Sequence, residues 1–113
     1  MLIISKVQEE TLYHGFFENW MIEHLNKFFP EQCAKLKKRG VREEIRYGIK
    51  KAATYGIEEG PELCRFIDMM MIFGCEFDTN SKYPWAAEIL NDKEILDPVS
   101  RMKLLRTVAE RYF

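Results

Sequence analysis

Apolar side chains recur every three or four positions through most of this chain, and glycine or proline interrupts each run. That spacing predicts helices rather than strands. From about Val7 to Phe28, the residues Tyr13, Phe17, Trp20, Met21, His24, Leu25 and Phe28 share one face of a 3.6-residue period. Pro30 ends this helix, because its ring forbids continuation and biases Phe29 to an extended shape. It also opens a short second helix carrying Cys33, Ala34 and Leu36. There Lys35, Lys37, Lys38 and Arg39 gather at the C-terminal end and Gly40 supplies the stop.

A third helix follows over about Val41 to Tyr55, with Val41, Ile45, Ile49 and Ala52 or Ala53 as its buried stripe. Gly48, Ala52 and Gly56 lie four apart and make a smooth strip for close approach of another helix. Gly56 suits the left-handed position after the helix end, with Ile57 folding back. Gly60-Pro61 starts a fourth helix that runs to about Phe73. Leu63, Phe66, Ile67, Met70 and Gly74 form one of its faces, and Cys64, Met69, Met71, Ile72 and Phe73 make the rest apolar too. A helix apolar on most sides belongs at the centre of a core, or offers one side to a partner. After a polar loop, Pro84 opens a short helix with Trp85, Ala86, Ile89 and Leu90. Asp97-Pro98 opens the last helix, with an N-cap carboxylate before a proline at the first helical position. Val99, Met102, Leu105, Ala109 and Tyr112 are its inward set.

The expected architecture is all-α, a single helical domain of five to six helices over residues 1–113. Only Leu2 to Ile4 reads as extended, and such a segment would dock as a short arm. Composition supports a folded chain: 47% of 113 residues are hydrophobic, enough to bury a core. The 17 basic and 18 acidic residues leave a formal charge of −1, which argues against a nucleic-acid partner. The longest apolar stretch, Met69 to Cys75, is far short of a membrane span, so no membrane partner is expected. The N-terminus lacks the basic region and cleavage site of a signal peptide, which predicts a cytoplasmic chain. Cys33, Cys64 and Cys75, an odd count without CxxC spacing, predict reduced and mostly buried thiols.

Candidate chemistry adds little. His14 and His24 are ten apart on one helix, about 80° around its axis, and cannot chelate one ion together. The loop Glu76-Phe-Asp-Thr-Asn-Ser-Lys82 resembles the start of a calcium loop but lacks its glycine and its closing glutamate, which favours turn and capping chemistry. Asp68, among Phe66, Ile67, Met69, Met70 and Met71, needs Arg65, Arg46 or solvent if ionised. The basic run Lys35 to Arg42 reads as a solvated helix end, and Met69-Met70-Met71 as core filling with some side chains turned to a partner. No serine-nucleophile motif, phosphate loop or paired-carboxylate signature is present in the sequence. The expectation is a protein that is not an enzyme, with no cofactor, metal or catalytic residue.

Three stretches carry a resemblance: Met21-Ile-Glu-His-Leu-Asn-Lys-Phe-Phe-Pro-Glu-Gln-Cys33; Ile45-Arg-Tyr-Gly-Ile-Lys-Lys-Ala-Ala-Thr-Tyr-Gly-Ile57; and Cys64-Arg-Phe-Ile-Asp-Met-Met-Met-Ile-Phe-Gly-Cys-Glu-Phe-Asp78 with Tyr83-Pro-Trp-Ala-Ala-Glu-Ile-Leu90. Their order and spacing resemble a family of small helical bacterial proteins encoded beside type VI secretion spike or PAAR-tip components, effectors and effector adaptors. The resemblance implies an accessory of effector loading, an adaptor or co-chaperone whose partner is another protein: an effector, a spike or PAAR component, or an adaptor. Immunity to a cognate toxin, through acidic residues such as Glu58, Glu59, Asp78 and Glu88, is the alternative. The expected partner-facing residues are Asp68, Met71, Phe77, Asp78, Tyr83 and Trp85, so that Trp85→Ala or Met71→Glu would weaken partner capture. The apolar fourth helix would equally suit a homodimer.

Overall fold

The structure, a computed structural model, describes the backbone of residues 6–112 and the side chains of residues 14–112. The extended arm expected at Leu2 to Ile4 lies outside the described residues. Among those described, every regular element is helical: α1 (Lys6–Phe28), α2 (Pro30–Ala53), α3 (Gly60–Phe73), α4 (Pro84–Leu90), α5 (Pro98–Ala109) and a closing 3₁₀ turn (Glu110–Tyr112). None of these helices is long and apolar enough to cross a membrane. The chain divides between Arg46 and Tyr47 into two compact units.

In the N-terminal unit, α1 buries Phe17, Met21 and Leu25, a row of every fourth residue. On one flank of that row Glu18 accepts from Arg42 at 3.1 Å and from Arg46 at 3.2 Å, which ties α1 to α2. Only Phe29 separates the two helices. Its N–H donates to Leu25 O, and its carbonyl accepts from Cys33 N. Cys33, Val41 and Ile45 are the buried residues of α2 in this unit.

The expected stop at Gly40 does not occur. The backbone instead breaks at Lys37, with φ 64° and ψ 171°, and the helix resumes directly. Glycine adopts that region readily and other residues seldom do, because Cβ crowds the neighbouring peptide. The two predicted helices are therefore one element with a kink, and the kink lies three residues before the glycine that was expected to make it.

In the C-terminal unit, α3 is the central element. Leu63, Phe66, Ile67, Met69, Met70 and Met71 are buried. Gly48 of α2 faces it so closely that an added Cβ would stand 2.8 Å from Ile67 Cγ1 and 2.9 Å from Met70 Sδ. That is the close approach its strip of small residues predicts. The helix end is also as expected. Gly56 takes φ 78°, its N–H donates to Ala53 O at 3.0 Å, and Ile57 N–H donates to Ala52 O at 3.0 Å. These two bonds form a Schellman cap, with Ile57 buried over it.

α5 packs on α3 and α4. Asp97 caps α5 by accepting from Val99 N and Ser100 N. Met102, Leu105 and Ala109 face inward as predicted, whereas Val99 and Tyr112 are exposed. Arg101 holds the irregular segments together. Its guanidinium donates to Tyr55 O at 2.6 Å and to Ile95 O, supplying donors to carbonyls that no helix ladder satisfies.

The strain at Lys37 is testable. Lys37→Gly removes the crowded Cβ and should raise stability by roughly 1 kcal/mol, about 4 °C in Tm, after the entropic cost of glycine is subtracted. Lys37→Ala keeps the Cβ and should leave Tm close to wild type. A thermal melt that fails to separate the two variants would contradict the strained backbone.

Candidate functional site

Two constellations stand out, a charged cluster in the C-terminal unit and an aromatic row on α1. The cluster begins with Asp78, whose carboxylate is 2% exposed. An ionised carboxylate so placed needs compensation. Lys51, in the last turn of α2, and Tyr55, in the turn that follows it, provide it. Lys51 Nζ lies 2.6 Å from Asp78 Oδ1, a close ion contact that approaches off the hydrogen-bond direction. Tyr55 Oη donates to Asp78 Oδ2 at 2.6 Å. The same ammonium donates to Glu76 Oε2 at 2.7 Å and to Cys75 O at 2.9 Å, and it stands over the Tyr47 ring. Tyr47 donates to the second oxygen of Glu76.

Burial by itself would make Lys51 less basic. Its contacts with Asp78, Glu76 and Tyr47, with the Asp78 charge, more than reverse this and hold the ammonium above its ordinary range. Burial, then the bond to Asp78, pushes the Tyr55 hydroxyl up as well. Bonds from Lys51 and Tyr47 hold the Glu76 carboxyl below its usual value. At neutral pH the cluster thus contains a fixed ammonium and a phenol that keeps its proton, neither of them poised as base or nucleophile. The oxygens that suggested a calcium loop are engaged otherwise: Glu76 and Asp78 share the lysine, and Asn80 Oδ1 accepts from Lys82 N at 2.9 Å in a local turn.

The residues expected to face a partner are placed mostly inside. Phe77 is fully buried against Phe66, with ring centroids 5.3 Å apart. Trp85 is buried, edge-on to Phe73 at 5.5 Å and stacked on Tyr112 at 5.4 Å. Met71 is buried on α3 and Asp78 is consumed by the cluster. Corrected accordingly, these four positions belong to the core, where apolar area and paired charge are gained together. Tyr83 is half-buried and edge-on to Phe73 at 5.0 Å. Asp68 is half-exposed, and the Cys64 thiol donates to its carboxylate at 3.9 Å. It lines a cleft of about 280 Å³ with Met69, Ile72 and Arg106. Burial, and then the Asp68 charge, pushes the Cys64 thiol up to about 12. Of the cysteines, Cys33 is buried, Cys64 half-buried and Cys75 exposed, a more graded set than expected.

The aromatic row was hidden inside the predicted inward face of α1. Phe16, Trp20, His24 and Phe28 are spaced four apart, parallel to the buried row of Phe17, Met21 and Leu25. Phe16 is 74% exposed, Trp20 53% and Phe28 59%. Trp20 stacks on His24 at 5.1 Å, and His24 meets Phe28 at 4.8 Å. Both rows satisfy the same helical period, so periodicity alone does not say which is inside.

The chain matches no protein-family model, no curated protein and no solved structure. Its functional reading rests on the geometry above and on the sequence.

The buried groups give three testable outcomes. Trp85→Ala removes a packed core ring and should cost about 3–5 kcal/mol, seen as a lower Tm. Unchanged stability would return Trp85 to the candidate surface. Lys51→Met leaves Asp78 buried beside no cation and should cost about 3–5 kcal/mol, part of which Asp78→Asn in the same chain restores. Lys51 and Tyr55 both bind their protons more tightly when folded. Their contribution is full below the unfolded values of about 10.4 and 10 and is lost as pH rises past them. Denaturant titrations should therefore show stability falling above about pH 10, with a shallower slope in Tyr55→Phe.

Proposed function

We propose that this chain is a non-enzymatic protein-binding accessory that docks its partner through the aromatic row on α1. The observation that carries this reading is the exposure of Phe16, Trp20 and Phe28 in one line. With His24 they form a strip about 18 Å long on a single helix face. Contiguous exposed aromatic area is costly to leave in water, and tryptophan and other aromatic side chains dominate the energetics of protein interfaces. Lys27 stands over the Phe28 ring at 5.4 Å and gives the strip a polar edge. The engaged state of the Lys51–Asp78 cluster supports the same reading, since its groups hold the fold rather than face a cleft.

The biological setting rests on the sequence resemblance: an adaptor or co-chaperone of effector loading in type VI secretion, acting in the cytoplasm on an effector, a spike component or another adaptor. A second reading, immunity to a toxin, is favoured by one observation. Glu58, Glu59 and Glu62 line a cleft of about 350 Å³ with Pro98 and Val99, an acidic concavity suited to a basic active site.

Affinity capture from the producing cell, comparing wild type with Trp20→Ser/Phe28→Ser, tests the proposal. Both side chains are exposed, so the Tm should hold within about 2 °C. The expected result is the loss of one specific protein from the captured set in the double variant. Capture of an identical set by both chains would remove the aromatic row from the function. Growth rescue on co-expression with a neighbouring toxin, abolished by Glu58→Lys/Glu59→Lys, would favour immunity instead.

A further inference from the structure

The N-terminal unit carries a second surface, on the other flank of the α1 buried row. Ile22 of α1 and the first half of α2 enclose a cavity of about 460 Å³. Cavities of that size seat a large side chain or a small ligand. Its wall is apolar where Ile22, Cys33 and Val41 meet, and Cys33 and Val41 are themselves buried. Its rim is cationic, formed by Lys37, Lys38 and Arg42. Arg42 is partly neutralised by Glu18 at 3.1 Å. Lys37 and Lys38 are exposed, and no acidic side chain among the described residues pairs with them. Lys37 reaches this rim from the strained backbone position that breaks α2. An apolar hollow with the unpaired cations Lys37 and Lys38 on its rim complements a ligand that is apolar at its centre and anionic beside it.

We propose that this cavity receives an acidic segment of the partner protein, with one apolar side chain seated among Ile22, Cys33 and Val41 and flanking carboxylates meeting Lys37, Lys38 and Arg42. This deepens, and rests on, the reading of the chain as a protein-binding module. The observations favour a peptide over nucleic acid. No aromatic ring lines the cavity to stack a base, and its apolar hollow at Ile22, Cys33 and Val41 offers nothing to a phosphate backbone. A carboxylate peptide needs only point charges at the rim and an anchor in the hollow.

Fluorescence anisotropy on the full chain tests this, using a labelled peptide of glutamate and aspartate around one central phenylalanine. Three further probes accompany it: the same peptide with glycine at the centre, a lysine-rich counterpart and a single-stranded oligonucleotide. The expected result is binding of the first peptide, weakened roughly tenfold or more by Lys37→Glu/Lys38→Glu and by loss of the central ring, and reduced at high salt. Lys37→Gly should bind more weakly while melting at a higher temperature, a pairing that a purely structural lysine would not produce. Equal affinity for acidic and basic peptides, indifference to the double charge reversal or to the central ring, tighter binding of the oligonucleotide, or no binding of the acidic peptide would each overturn the proposal. Trp20→Ser serves as the control, since it lies on the other flank and should leave peptide affinity unchanged. Partner capture that depends on Trp20 without acidic-peptide binding defeats the cavity alone. Peptide binding with capture indifferent to Trp20 defeats the aromatic row alone.

Discussion

The burial of Asp78 constrains the C-terminal unit more than any other feature. Phe77 must enter the core to meet Phe66, and the residue that follows it on the chain is carried inward with it. A carboxylate in that position is tolerable only if a cation and a donor are already waiting. Lys51, in the last turn of α2, and Tyr55, in the cap that follows it, meet the requirement. The loop after α3 is thereby locked to α2, and the main-chain carbonyl of Tyr55 in turn receives Arg101 from α5. Apolar packing and charge pairing are interdependent here, since neither Phe77 nor Asp78 can be buried without the other being accommodated.

A different economy governs the N-terminal unit. α1 is apolar on more of its circumference than its buried row requires. One flank carries the Glu18 contacts to Arg42 and Arg46, and the other carries Trp20, His24 and Phe28 in mutual contact. The rings shield each other but still expose most of Phe16 and about half of Trp20 and Phe28. Across the helix, the kink at Lys37 directs cations toward a hollow. Surface hydrophobicity on one side and local backbone strain on the other both cost stability, and both are features that binding would compensate. A protein that engages its partner along α1 would use the two flanks for different parts of the recognition, aromatic area on one and charge on the other.

Element boundaries were largely legible because their causes are local. Pro30, Gly60-Pro61, Pro84 and Asp97-Pro98 each open the helix predicted for them, and Gly56 ends α2 in the left-handed conformation that glycine permits. The central position of α3 followed from its apolar circumference. The break was misplaced for a physical reason: glycine permits a break but does not compel one, and α2 breaks three residues earlier, at a lysine with φ 64°.

The chain's own pattern of side chains therefore determined that it is all-α, where its helices begin, and that α3 is central. It did not determine which of two parallel rows on α1 faces inward, because both have the same period and similar chemistry. Nor did it reveal that a polar-looking loop is inside, since the hydrophobicity of Phe77 and the charge of Asp78 point opposite ways until Lys51 and Tyr55 are brought beside them. Those outcomes depend on contacts between residues more than twenty positions apart, which only the tertiary structure decides.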